Sequence, residues 1–150
     1  MITTRRGGTL RRMNTSIDTD AQWHDMPNPC PFSALIGPVQ RRRVGDGFVY
    51  GLRVGPQHTN SIGIMHGGLI TAFLDEVIGE IVNDLANRKH ITVQFSTTFL
   101  SKAQVGDLLE CDCDIVRATR SMTFIQARLN VNGEAIASAT AIFKAARPTT

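Results

Sequence analysis

The 150-residue sequence is 42% hydrophobic and 19% charged with a net charge of +3, the profile of a single globular domain. A chain of this size can bury about 68–70% of its unfolded surface, and no apolar run approaches the eighteen or so residues that cross a membrane, so a soluble protein with no membrane partner is expected. Cys111 and Cys113 lie two apart on one face of a predicted strand and Cys30 is distant; that spacing offers no zinc pattern and suits reduced thiols in a cytoplasm.

Residues 1–20 lack periodicity and mix Gly, Thr, Ser, Asn and Arg. The first seventeen carry four arginines and no acid, which faintly resembles a mitochondrial targeting peptide, and Met13 is an alternative start. We read 1–20 as a dispensable tail, 1–27 as the whole irregular arm and 28–150 as the folded domain. Arg41, Arg42 and Arg43 form a second basic cluster after those at Arg5, Arg6, Arg11 and Arg12. Without aromatics interleaved on a basic strand, these charges suit a phosphorylated small molecule such as coenzyme A and not nucleic acid.

Prolines punctuate residues 28–38 around a short apolar piece that predicts a single helical turn, with Trp23 just before it as a hydrophobic anchor. Residues 44–54 predict the first strand of a sheet, bent at Gly45, Gly47 and Gly51. His58 and His66 have no third ligand at a usable spacing, so no metal is expected and His58 reads as a solvated loop residue.

The most informative stretch is 60–86, NSIGIMHGGLITAFLDEVIGEIVNDLA. Leu69, Ile70, Phe73, Leu74, Val77, Ile78, Ile81, Val82 and Leu85 recur at spacings of three and four, which predicts a helix with one wide buried face. Asn87, Arg88, Lys89 and His90 close it with charges suited to the helix dipole. Gly67 and Gly68 stand where loop becomes helix, among the unpaired N–H donors of a helix start. A substrate carbonyl could approach them closely and have its developing charge stabilised there. Asp75 lies about two turns beyond Gly68 on the same side. An acid on a helix meant for burial is costly unless paired or used; a solvated Asp is the alternative.

Asn60-Ser61-Ile62-Gly63-Ile64-Met65-His66-Gly67-Gly68, followed by Asp75, resembles the N-x-x-G-x-x-H-G-G…D signature of hot-dog fold acyl-CoA thioesterases, most closely the PaaI-like group of phenylacetate pathways. The resemblance covers about residues 31–146. It implies an antiparallel sheet wrapped around one long helix, with active sites formed between two subunits of a homodimer that pairs further as a dimer of dimers. It also implies that Gly67 N–H polarises the thioester carbonyl and that Asp75 is nucleophile or general base. Asn60 and His66 would orient the water and the thioester. Thr92 stands where the family often has Ser, with the hydroxyl kept and a methyl added.

Four strand-like runs follow the helix at residues 91–100, 108–118, 122–132 and 135–145. In the first, Ile91, Val93, Phe95, Thr97 and Phe99 alternate with Thr92, Gln94, Ser96 and Thr98, predicting a half-buried strand with one hydroxyl-rich face. Gly106-Asp107, Thr119-Arg120-Ser121 and Asn132-Gly133-Glu134 mark turns short enough to force antiparallel neighbours. Ala135, Ala137, Ala139 and Ala141 are expected on one face, beneath the helix.

These elements predict an α+β fold, one strand before the helix and four after it. Hydrolysis of an acyl-CoA thioester needs an oxyanion donor, a carboxylate and an orienting polar group, which Gly67, Asp75 and Asn60 supply, with Gly68 as a second substrate contact. No Gly-x-Ser-x-Gly elbow, P-loop or dinucleotide fingerprint competes, and no cofactor is expected. Two other readings remain open, a hot-dog hydratase or dehydratase and a non-catalytic acyl-CoA sensor. Arg120, at a hairpin turn, is the candidate for coenzyme A phosphates, ahead of Lys102 and the 41–43 cluster.

Overall fold

The computed structural model describes residues 22–45 and 47–147. The arm read over residues 1–20 lies outside the described residues. Two short elements lead in: strand β1 (His24–Asp25) and helix α1 (Pro31–Ile36), the predicted single turn. Strands β2 (Val39–Val44) and β3 (Gly47–Arg53) follow as an antiparallel pair, then the long helix α2 (Gly67–Ala86). Strands β4 (His90–Phe99), β5 (Leu108–Ala118), β6 (Met122–Val131) and β7 (Glu134–Ala145) complete the chain.

All seven strands join one antiparallel sheet in the order β1-β2-β3-β5-β6-β7-β4. Among the described residues three strands precede the helix where the sequence suggested one. The basic run Arg41–Arg43 hid β2, because its side chains find partners on and beside the sheet. Arg41 lies over the Phe48 ring, Arg42 pairs with Glu110 at 3.0 Å, and Arg43 donates to Gly45 O. Trp23 anchors the entering chain as expected. A Cβ on Gly51 would stand 2.8 Å from its ring, so only glycine allows that packing.

Helix α2 lies on the inner face of the sheet and buries Ile70, Phe73, Leu74, Val77, Ile78, Ile81 and Val82. Each such side chain contributes about 1.5–3 kcal/mol on burial, an upper figure because unfolded chains already hide some surface. Leu85, read as part of that face, is exposed, because it borders a cavity left between the end of α2 and the sheet. Ala127, Ala137, Ala139 and Ala141 are buried with α2 in the core, small enough for close approach. Ala135 is not among them. The pairing slips between Leu129 and Asn130, and Ala135 pairs with Asn130, which in turn pairs with Glu110 on the outer face.

A second irregularity matters for the site. Thr92 pairs with Phe143 but Gln94 pairs with Ile142, so Val93 is an extra residue in β4. Directly paired residues share a face. Phe143, Ala141, Ala139 and Ala137 are buried, so their partners Thr92, Phe95, Thr97 and Phe99 form the row of β4 that faces α2. The simple alternation placed Thr92 on the opposite face from Phe95; the bulge brings it round. The hairpin from β6 to β7 turns at Asn132 and Gly133, with φ of 50° and 83°, the paired left-handed geometry an Asn-Gly turn favours.

Candidate active site

The loop before α2 ties itself into a fixed shape. Asn60 N–H donates to Ile64 O at 2.8 Å, and its Oδ1 accepts from the N–H groups of Ile62 and Ile64 at 3.1 and 3.3 Å. Gly63 takes φ of +79°, where a side chain would be strained. His58 is buried, not solvated. Its Nδ1 accepts from Gly55 N–H at 2.9 Å and its carbonyl accepts from His66 N–H at 2.9 Å, so it pins the loop from beneath.

His66 is the N-cap of α2, with Nδ1 accepting from Gly68 N–H at 2.9 Å. That bond leaves the ring proton on Nε2, the only nitrogen still open to another partner. Leu69 and Ile70 donate to His66 O. The bond from Ile70 is the first regular one of the helix. Of the four orphan donors before it, His66 N–H goes to His58 O, Gly68 to the His66 ring and Leu69 to His66 O, and among the described residues nothing accepts from Gly67 N–H. Gly68, read as a substrate contact, has its N–H engaged by the His66 ring. The donor set narrows to Gly67.

Asp75 sits mid-helix, half-buried, and Thr92 Oγ1 donates to its Oδ1 at 2.7 Å. One turn earlier Thr71 donates to Thr97 at 3.2 Å, so the same faces of α2 and β4 meet again. The neighbouring acid serves a different purpose: Glu76 Oε1 accepts from Ser33 Oγ, a buried hydroxyl of α1, and lies 3.5 Å from Cys30 Sγ. Gly67 and Asp75 are eight residues apart, about 12 Å along the axis at about 1.5 Å per residue.

Two residues of this region were not singled out in the sequence. Ser33 explains why Glu76 is held elsewhere. Phe99 points its ring end-on at Gly67, with Cζ 2.9 Å from where a Cβ would stand and both Cε atoms at 3.3 Å. The alternation that sets Phe99 in one row with Phe95 and Thr97 was a signal for its inward face, but its approach to Gly67 comes only from the packing of β4 on α2.

Arg120 lies far from this cluster within the chain. Its carbonyl accepts from Arg88 Nη2 at 2.5 Å, just past the far end of a helix about 30 Å long. A cavity of about 710 Å³ also opens at that end, between Arg41, Phe48 and Tyr50 of the sheet and Glu80, Asp84 and Arg88. It is not beside Asp75, and the placement of reactive groups is better evidence for chemistry than the size of a hollow. Cys111 and Cys113 are free and buried; burial, then the neighbouring Asp114 and Asp112, pushes the Cys113 thiol up to about 12, so it is no nucleophile at neutral pH. Among the described residues no cluster of His, Cys, Asp and Glu could hold a metal, and no helix is long and apolar enough to cross a membrane.

A family model described as "Thioesterase superfamily" matches residues 62–135, the span that holds His66, Gly67, Asp75 and Thr92. "Putative esterase PA0474" of Pseudomonas aeruginosa is 30% identical over 116 residues, covering 75% of this chain and 87% of the relative. The chain belongs to the thioesterase superfamily. Its seven-stranded sheet around α2 is the hot-dog fold of that superfamily. A solved phenylacetic acid degradation-related protein from Ralstonia eutropha JMP134 superimposes with a TM-score of 0.69 at 25% identity, over 77% of this chain and 91% of that one. A thioesterase-type protein of Streptococcus pneumoniae TIGR4, solved with coenzyme A, shares the fold at a TM-score of 0.67 and 21% identity, over 75% and 91% of the two chains. Within this thioesterase-superfamily chain the open Gly67 N–H and the Thr92-bound Asp75 lie at separate places on one helix.

Proposed function

We propose that the protein hydrolyses acyl-coenzyme A thioesters at sites that each combine Gly67 of one copy with Asp75 of another. The observation that carries this reading is the separation of the open Gly67 N–H and the Thr92-bound Asp75. A carbonyl accepting from Gly67 cannot be attacked by a water held on an acid about 12 Å further along the same helix, because reacting atoms must meet at about 3–3.5 Å. A second copy supplies the missing half. Strand β4 is paired on one side only and exposes Ile91 and Val93 at 62% and 55%, a surface suited to joining the same strand of a partner. The pneumococcal relative solved with coenzyme A and the esterase name of the Pseudomonas relative support the substrate class.

In this mechanism Asp75 takes a proton from water, and the resulting hydroxide forms a bond to the thioester carbon. Gly67 N–H receives the oxyanion, aided by the positive end of α2. The C–S bond then breaks, and the coenzyme A thiolate leaves and takes up a proton. Thr92 donates to Oδ1 and so leaves Oδ2 to hold the water. The His66 Nε2–H and the Asn60 amide nitrogen are the donors left to orient thioester and water, because Nδ1 of His66 and Oδ1 of Asn60 are engaged by the loop and cap. Arg120 meets coenzyme A phosphates from a neighbouring subunit of a dimer of dimers. The free cysteines suit a cytoplasmic setting.

Release of free thiol from a panel of acyl-CoA thioesters tests the activity; no release by pure, dimeric protein overturns it. The shared site has its own test. Asn60→Ala and Asp75→Ala, each folded and dimeric but inactive, are unfolded and refolded together. About half the dimers are then mixed, each with one intact site of two, so about a quarter of parental activity returns. No recovery in verified mixed dimers would place the whole site within one chain.

A further inference from the structure

We infer that Phe99 sets the acyl selectivity of this site, admitting apolar acyl groups unbranched at the carbon next to the carbonyl; this rests on the thioesterase reading above. The ring reaches from β4 to the start of α2 and ends on Gly67, the residue whose N–H is open. A carbonyl accepting from that N–H is bound at the residue the ring abuts, with Cζ 2.9 Å from where a Cβ of Gly67 would stand. Phe99 is 54% exposed, so about half of the residue is left uncovered by the described chain.

The acyl group, not the pantetheine arm, belongs beside it. Pantetheine carries amides that need hydrogen-bond partners, and the backbone donors that follow Phe99 are occupied: Leu100 and Ser101 N–H both donate to Ile136 O, while His66 Nε2–H is already given to the thioester and water. What Phe99 itself offers there is an apolar ring. The ring is also held in place. Phe99 pairs with Ala137 and continues the inward row whose earlier members, Thr92 and Thr97, are bonded to Asp75 and Thr71. A straight chain can leave the carbonyl along the ring face, whereas a methyl branch at the first carbon meets its end.

Butyryl-CoA and isobutyryl-CoA have the same carbon count and differ only in that branch, so their kcat/KM ratio reads the proposal. Parent protein should prefer butyryl-CoA. Phe99→Ala should raise the isobutyryl-to-butyryl ratio about tenfold or more, the usual reach of one methyl in a pocket, with Phe99→Leu between. An unchanged ratio in folded variants, or no preference in the parent, overturns it. Ketone analogues with a methylene between sulfur and carbonyl give the same comparison as binding constants. Discrimination in binding without thiol release would sink the hydrolase reading and leave the role of Phe99 standing; equal binding, unaltered by Phe99→Ala, would sink the role of Phe99. A merely structural Phe99 would lower stability and shift neither ratio.

Discussion

The two ends of α2 obey the same backbone rules and end differently. At the C-terminal end Asn87 takes the left-handed conformation, and its N–H and that of Arg88 return to carbonyls of Asn83 and Asp84. Asn83 Oδ1 accepts from His90 N–H at 2.9 Å, and Arg88 reaches across to Arg120 O. This end is closed by its own neighbours. At the N-terminal end His66 satisfies three donors and leaves Gly67 open, facing the end of an aromatic ring. That one unmet donor, beside a histidine engaged in capping, is the feature on which the proposed site rests.

The comparison predicts that changes tied to the open half-site act on turnover and changes at the closed end act on stability. The largest effect is expected from Asp75→Asn, which keeps shape and removes the base. Turnover should fall about 10²–10⁴-fold with coenzyme A affinity little changed. A kcat within a few-fold of the parent would remove Asp75 from the mechanism, and Glu76, held by Ser33, could not replace it.

Next comes the donor itself. Gly67→Pro deletes the N–H, and proline is tolerated at a helix start. Its Cβ, however, would strike Phe99 at 2.9 Å, so the comparison is made in a Phe99→Ala background, Gly67→Pro against Gly67→Ala. Both carry the Cβ and only one lacks the donor. The proline form should be about 10²–10³-fold slower in kcat, the worth of a single oxyanion donor. Equal rates would show the open N–H to be idle.

Thr92→Val removes the hydroxyl bonded to Asp75 and keeps the branched shape. A hydrogen bond to a charged group contributes about 1.5–3 kcal/mol, so a loss of roughly tenfold to a hundredfold in kcat/KM is expected if the bond orients the carboxylate. Full activity in Thr92→Val would mean that helix packing alone positions Asp75. The smallest effect belongs to the closed end. Asn83→Ala should cost about 1 kcal/mol in denaturant unfolding by freeing His90 N–H, with kcat unchanged. A drop in turnover there would blur the division between the two ends.

Much of the architecture was legible because it follows from local rules. The period of Ile70 to Val82, the Asn132-Gly133 turn and the short loops between the last strands each constrain their own segment, and the structure reproduces them. Residues 39–44 were not legible as a strand. Three successive arginines look like a solvated patch until the Phe48 ring, Glu110 and Gly45 O are placed beside them. His58 looked solvated for the same reason: the loop that buries it closes only when His66 N–H reaches its carbonyl.

By itself the sequence determined which residues are the candidates for the chemistry: a glycine pair at a helix start, an acid two turns on, and an asparagine and a histidine before them. Those depend on residue type and on spacing along one helix, quantities the chain states directly. Tertiary structure decided how they are used. The extra residue Val93 turned Thr92 toward Asp75, the His66 ring took Gly68 N–H and left Gly67, and the β4 row brought Phe99 against that glycine. A one-residue slip in strand pairing moves side chains to the other face, and such a slip is set by the partner strand rather than by the strand's own sequence.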